Sequence, residues 1–303
     1  MRFKGVSLVI IFALFTAAKE VVAGNLVQAA DPSLVVFVAF MVTASFFHLF
    51  NAAGKVRAAW AGPGELRDLA VVNLASAGAW GILFYALRYI EPAVVSAIIA
   101  SVGPLLTIVS YAIVRSGDRV LASDVWTGAG ILAAVLLLIW TTGTGEAIAP
   151  GAGAFAVWTS LAACLVSGAA VVATTVYSKR LYLAGWTPAR LMAHRFYLLI
   201  LLALADMVWR GVDPGAQLAR HWPVIVVMAV AGIALPIYIL QFGIKLSSPV
   251  EVAVIIAMTP VFILVFQNFD DRLAFNLARV AGVGLVTLFV IANIYMRRHL
   301  HAR

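Results

Sequence analysis

The sequence predicts an all-α membrane protein: ten transmembrane helices as two inverted five-helix repeats, 1–147 and 148–303, in one integrated membrane domain. Three observations predict it. The 303 residues are 64% hydrophobic and 11% charged, where a soluble domain carries about 25% charged residues. Apolar runs recur at the length of roughly 20 residues that a helix needs to cross a bilayer core, where nothing else satisfies the backbone. Landmark residues also recur. Pro32 and Pro104 reappear 156 residues on as Pro188 and Pro260, Pro92 reappears 157 on as Pro249, and Gly128 and Gly130 reappear 154 on as Gly282 and Gly284. An odd number of spans per half inverts the second copy, and inverted repeats build many carriers with two alternately open states.

The ten runs are 5–25, 33–54, 67–88, 92–114, 123–142, 154–177, 188–209, 221–243, 249–269 and 275–296, joined by short connections with Gly, Pro, Asp or Ser at most of them. The first follows Arg2 and Lys4. Its rival reading is a signal peptide ending near Thr16-Ala17-Ala18, which would leave nine spans and break the pairing of halves. The fourth is Ala-rich and carries Pro104; the fifth follows Asp118-Arg119, as the tenth follows Asp271-Arg272. The ninth opens Pro249-Val-Glu-Val-Ala-Val-Ile-Ile-Ala, close to Pro92-Ala-Val-Val-Ser-Ala-Ile-Ile-Ala in the fourth.

Loop charge sets the orientation. With the N-terminus cytoplasmic, 14 Lys and Arg fall on the inner side and 5 on the outer (Arg88, Arg210, Arg220, Arg272 and Arg279). Both termini are therefore expected in the cytoplasm, with the protein in the inner cell membrane. Trp126, Trp140, Trp158, Trp186, Trp209 and Trp222 fall near span ends, as an interfacial aromatic belt would. The net charge of +8 punctuates apolar runs instead of forming one basic face, so it argues against nucleic acid as a partner. Cys164 stands alone, which excludes an internal disulfide and a Cys-based metal cluster.

In this order and spacing the chain resembles the EamA-type transporters of the drug/metabolite transporter superfamily. The features that carry the likeness are the two halves of five spans, Ala97-Ile-Ile-Ala-Ser-Val-Gly-Pro104, Gly117-Asp118-Arg119 before span five, Thr259-Pro260 in span nine, and Pro188-Ala-Arg-Leu-Met-Ala-His-Arg195 opening span seven. Two positions depart from the family pattern. Phe15-Thr16 stands where Trp-Gly is common, and Ala39 stands where the first half often has an Arg matching Arg195. The resemblance implies a central cavity and export of amino acids, other metabolites, metallophores or drugs; the substrate does not carry over through those changed positions.

Charges inside spans are the functional leads, since each costs about 2.5–3.5 kcal/mol at the helix centre on insertion scales. Arg195 is the first candidate, because a guanidinium holds a carboxylate by two parallel hydrogen bonds; the bland alternative is pairing with Glu251 or capping helix carbonyls near the inner surface. Lys19 and Glu20 are placed in the outer part of span one, about 100° apart on the helix and so not simply paired. Lys19 is a substrate-carboxylate candidate or a residue snorkelling to the outer headgroups. Glu20 and Glu251 are proton-coupling candidates. Asn73 and Trp80 on span three, and Tyr238 and Gln241 on span eight, are added as substrate-binding candidates. Pro104 and Pro260 are hinge candidates. A cavity lined by spans one, three, four, six, eight and nine is expected, while the small-residue stripes and the paired glycines of spans five and ten serve packing.

Neither a G-x-x-x-x-G-K-[ST] loop nor an H-E-x-x-H helix occurs. Gly128-Ala-Gly130-Ile-Leu-Ala133 imitates a dinucleotide fingerprint but lies in an apolar span with no preceding strand. The expectation is a secondary transporter, not an enzyme, without cofactor or metal. It would export a small polar metabolite (amino-acid-like or an organic anion) by alternating access coupled to protons. Its partners are the small-molecule substrate and the lipid bilayer, with a homodimer as the oligomer left open. The alternatives are a membrane-embedded enzyme or lipid-linked carrier, and a sensor or assembly subunit that does not transport.

Overall fold

The computed structural model describes residues 2–53, 62–113, 122–144, 153–246, 249–270, 273 and 276–301. Within them the secondary structure is helical. In chain order the helices are α1 (Arg2–Ala29), α2 (Pro32–Ala53), α3 (Pro63–Ala86), α4 (Pro92–Ile113), α5 (Ala122–Gly143), α6 (Ala154–Leu183), α7 (Pro188–His194), α8 (Tyr197–Trp209), α9 (Pro214–Val227), α10 (Leu235–Leu246), α11 (Pro249–Ala257), α12 (Thr259–Gln267) and α13 (Leu277–His301). A π-helical segment, Met228–Ala234, joins α9 to α10. Eight stretches are long and apolar enough to cross a membrane, and Pro92–Leu106 and Val254–Gln267 are shorter apolar helices. That makes ten spans, the fourth and ninth being the short ones. The motifs Gly117-Asp118-Arg119 and Asp271-Arg272 lie outside the described residues.

Proline starts these helices because its missing N–H is one the first turn leaves unpaired anyway. Pro32, Pro63, Pro92, Pro188, Pro214 and Pro249 each open one. Side chains just upstream take the free donors. Asp31 accepts from the Ser33 N–H at 3.0 Å, Thr187 from that of Arg190 at 3.2 Å, and Asp213 from that of Gly215 at 2.9 Å. Two ends turn through a left-handed glycine. At Gly185 (φ 91°) the Trp186 N–H reaches back to the Leu181 carbonyl, and at Gly211 (φ 63°) the Val212 N–H reaches Met207. This six-to-one closure satisfies last-turn carbonyls and needs a residue free of a Cβ penalty.

Three spans of the second half are interrupted. Span seven breaks at Arg195-Phe196, between α7 and α8. A broken backbone inside a membrane needs substitute partners, and Asn73 of α3 supplies them: its amide nitrogen donates to the His194 carbonyl at 3.0 Å, and its oxygen accepts from the Leu198 N–H at 3.3 Å. Span eight widens into the π segment. Pro236 has no N–H for the Gly232 carbonyl four residues earlier and its ring crowds that carbonyl, so the ladder there runs at a wider register, with the Leu235 N–H on Val230. Span nine breaks at Met258, and Pro260 sits in the first turn of α12.

Packing is helix on helix. α3 lies along α6, α1 along α10, α4 along α6, α1 along α12 and α11, α2 along α7 and α8, α5 along α13, and α4 along α12. Close approach uses glycine: a Cβ on Gly168 of α6 would stand 2.5 Å from Val102 Cγ2 of α4 and 2.7 Å from the Ile99 carbonyl. Spans five and ten meet as expected, since Cβ atoms on Gly130 and Gly282 would strike Phe289 and Leu138, although Gly284 faces open space. An aromatic hub joins spans two, three and seven: Phe40 lies 5.2 Å from Trp80, 6.1 Å from Phe84 and 4.8 Å from Phe196, ring to ring. Of the six belt tryptophans five are exposed; Trp186 is buried, because its indole N–H donates to Glu65 at 2.9 Å and its ring carries Arg190.

Candidate functional site

α1 runs to Ala29, further than its apolar run suggests, so Lys19 and Glu20 lie just past the middle of the helix instead of toward its outer end. Their residues are 4% and 6% exposed. Two sequence readings are corrected here. The pair does form, with Nζ of Lys19 3.5 Å from Oε1 of Glu20, because the long lysine stem curls back across the 100° between adjacent positions. Snorkelling is also excluded: the ammonium is held inside the bundle, 4.9 Å from the Trp80 ring centroid. An ammonium over an indole face gains about 2 kcal/mol or more when water is removed.

The surroundings explain how Lys19 fits. Gly232, in the π segment of span eight, leaves room that a Cβ would fill; such an atom would stand 2.5 Å from Lys19 Cγ and 2.9 Å from its Cβ. Ser96 of α4 stands beside the Glu20 carboxylate. Oε2 of Glu20 is buried without a hydrogen-bond partner among the described residues. Spans one, three, four and eight thus converge on one ion pair. Neither Gly232 nor Ser96 was selected as a site residue from the sequence. The Gly232-x-x-x-Pro236 spacing inside an apolar span was the legible signal for the first.

Arg195 caps α7 at the break in span seven. Its Nε donates to Ser76 Oγ of α3 at 3.2 Å, and its guanidinium lies 5.2 Å from the Phe196 ring. No carboxylate lies within 4.0 Å of Arg195 among the described residues. Ser76 and Trp80 are four residues apart on α3, hence on one face and about 6 Å apart along its axis. That face brings together two cations, the half-buried Arg195 on Ser76 and the buried Lys19 on Trp80.

The remaining candidates separate. Asn73 is committed to the span-seven break. Tyr238 packs its ring against Phe50 at 5.5 Å and Phe242 at 5.1 Å, away from that face of α3. The side chains of Gln241 and Glu251 lie outside the described part of the structure. Pro104 sits inside the uninterrupted α4, whereas Pro260 follows the break at Met258, so the two prolines are not equivalent kinks. His194 bonds Tyr197 through Nδ1 at 2.6 Å, and Tyr197 also meets His48 Nε2 at 2.9 Å.

Charged clusters that sequence reasoning missed tie the loops at the end of the bundle where α1 terminates. Arg210 grips Asp31 with two bonds of 2.7 and 2.8 Å and also reaches Asp206 and Ser33. Burial alone would raise the Asp31 carboxyl, but the hydrogen bonds and charge of Arg210 outweigh it and hold it below its ordinary 3.8. The bonds from Asp31, then Asp206, push Arg210 upward in turn. Glu91 pairs with Arg279 and receives Gln267 Nε2 at 3.5 Å, linking spans four, nine and ten. Asp206 is a local i,i+4 partner of Arg210, but Asp31 pairs with Arg210 across 179 residues and Glu91 with Arg279 across 188, which no local pattern reveals. A pocket of about 470 Å³ opens at this same end between α2, α3 and α8, and none of the sequence-derived candidates lines it. It differs from the expected cavity of spans one, three, four, six, eight and nine.

Residues 158–295 match the EamA-like transporter family. The EamA-like segment contains Arg195, Gly232 and the interrupted spans seven to nine; Lys19, Glu20 and Trp80 precede it. A solved crystal structure superposes on 99% of this chain and 99% of its own with a TM-score of 0.61 at 18% identity, which shows a shared fold. A comparison with curated proteins gives no significant match. The apolar spans make this a multi-pass membrane protein, and its second half is similar to the EamA-like transporter family.

Proposed function

We propose that the protein is a secondary transporter that exports a small metabolite bearing a carboxylate, by alternating access coupled to protons. One observation carries the substrate class. A single face of α3 holds Lys19 and Arg195, and Glu20 is the one carboxylate within 4.0 Å of either among the described residues. Among the described residues two cations and one anion leave a net charge of +1 where Lys19 is buried and Arg195 half-buried, and charge without a partner is expensive out of water. A substrate carboxylate supplies the missing charge, and a guanidinium receives it through two hydrogen bonds. Trp80 gives an aromatic or apolar substrate body a wall.

Alternating access draws support from the helix contacts. Exchanging the first five spans for the last five turns the α3–α6 contact into the α10–α1 contact, and α4–α6 into α12–α1, while α5–α13, α4–α12 and α2–α8 map onto themselves. Such a pairing is what an inverted repeat with halves 1–147 and 148–303 produces. Glu20 is the proton-coupling residue in this reading, because its second oxygen is buried without a partner beside Lys19. The loop charges support cytoplasmic termini in the inner membrane.

The test is counterflow in proteoliposomes against a panel of labelled amino acids and organic acids. Exchange of at least one carboxylate is expected, with Arg195→Gln and Lys19→Gln each lowering its rate about tenfold or more. Glu20→Gln should keep exchange but abolish uphill movement driven by a pH gradient. Exchange confined to cations, or unaltered in the Arg195 and Lys19 variants at normal membrane levels, overturns the reading.

A further inference from the structure

The pocket between α2, α3 and α8 is separate from the Lys19–Glu20 pair, and its walls divide by chemistry. Val36, Phe84, Leu199 and Leu202 make an apolar channel. Arg88, Tyr85 and Tyr89 form one rim, and Asp206 with Arg210 the other. Arg210 is taken up by Asp31 and Asp206, which leave that rim with an excess of one negative charge. Arg88 is not: its guanidinium rests 5.8 Å from the Tyr89 ring centroid, and no carboxylate lies within 4.0 Å of it among the described residues. Glu91, the nearest acid in sequence, is taken by Arg279.

Tyr85 is 44% and Leu202 53% exposed, on helices long and apolar enough to cross a bilayer, so these lining residues lie where an occupant from lipid can reach them. The floor is open because α3 carries Gly81 there; a Cβ at Gly81 would make only an ordinary 3.5 Å contact with Leu199 Cδ1. Arginine and tyrosine at interfacial depth, above an apolar channel, suit a molecule with an anionic head and a hydrocarbon body.

We propose that this pocket binds an anionic phospholipid of the surrounding bilayer, its phosphate on Arg88 beside the Tyr85 and Tyr89 hydroxyls and one acyl chain along Leu199 and Leu202 over Gly81. The charge of Arg88 selects the head group, and each buried methylene adds to the hold.

The experiment uses the full chain, released from detergent into native mass spectrometry and titrated with phosphatidylglycerol or with phosphatidylcholine of the same acyl chains. Phosphatidylglycerol should be retained about fivefold more strongly, the effect of one surface arginine on an anionic lipid. Arg88→Gln should remove that preference. Gly81→Phe, whose ring turns into the pocket, should lower retention of both lipids, with Arg88→Gln keeping the test decisive if the bulky variant does not fold. Equal retention of the two lipids by the parent protein overturns the proposal. So does a phosphatidylglycerol preference that survives Arg88→Gln, or displacement of the lipid by millimolar water-soluble carboxylates, which would make the pocket a solute site.

Discussion

Lys19 reaches the middle of an apolar helix because Glu20, Trp80 and the missing side chain of Gly232 all accommodate it. Removing one charge of a buried pair leaves the other uncompensated, at a cost of about 3–5 kcal/mol, while removing both is close to neutral. Lys19→Met and Glu20→Gln should therefore each lower the unfolding midpoint in detergent strongly, and the double variant should recover most of the loss. A double variant as unstable as the singles would mean that the two side chains do not interact in the folded protein. Transport separates structure from function here, since the double variant is expected to fold and to carry nothing. Gly232→Ala tests the same contact from the other side. Its methyl group would meet Lys19 Cγ at 2.5 Å, and overpacking of this kind costs about 1–3 kcal/mol. A variant with unchanged midpoint and unchanged exchange would show that spans one and eight can move apart freely.

At the scale of elements, three spans of the second half are broken helices, whereas its spans six and ten and the described spans of the first half are whole. Span seven is held across its break by Asn73, span eight by a π segment, and span nine by a turn at Met258. Interrupted spans place free backbone groups and small residues where a solute or a side chain can approach. The loops beyond the spans are fixed by charge. Asp31 titrates below its ordinary 3.8 when folded, so the Arg210 clamp contributes fully above that value and is lost as pH falls through the lower folded one. Lowering the pH from 7 to 3 should thus destabilise the parent more than Asp31→Asn, by about 1 kcal/mol for a clamp whose arginine is partly exposed. Parallel midpoint-versus-pH curves for the two proteins would show that the clamp contributes nothing.

For the whole molecule, the alternating-access reading requires halves of opposite orientation and therefore chain ends on the same face. Single cysteines placed near residues 3 and 300 in a Cys164→Ser background should both resist a membrane-impermeant maleimide in intact cells and react after lysis. Labelling of only one of them in intact cells would place the ends on opposite faces and end the repeat reading. How much of this was legible beforehand differs by residue. The ten spans were, because hydrocarbon length and backbone satisfaction impose a one-dimensional signal. The partnership of Lys19 with Glu20 was misread, because helix angle alone ignores a stem long enough to bend back. Asn73 stood out in the sequence by its polarity alone; that its amide bridges the break in span seven depends on a partner 121 residues away, which no local pattern shows.

The sequence by itself determined that this chain is a bundle of ten apolar helices and where most of them begin, because each follows from the cost of water-free backbone and from proline at helix starts. Only the tertiary structure decided which charges meet, which spans are broken, and that the open pocket lies between α2, α3 and α8. Those outcomes depend on contacts between residues far apart in the chain, which no local pattern encodes.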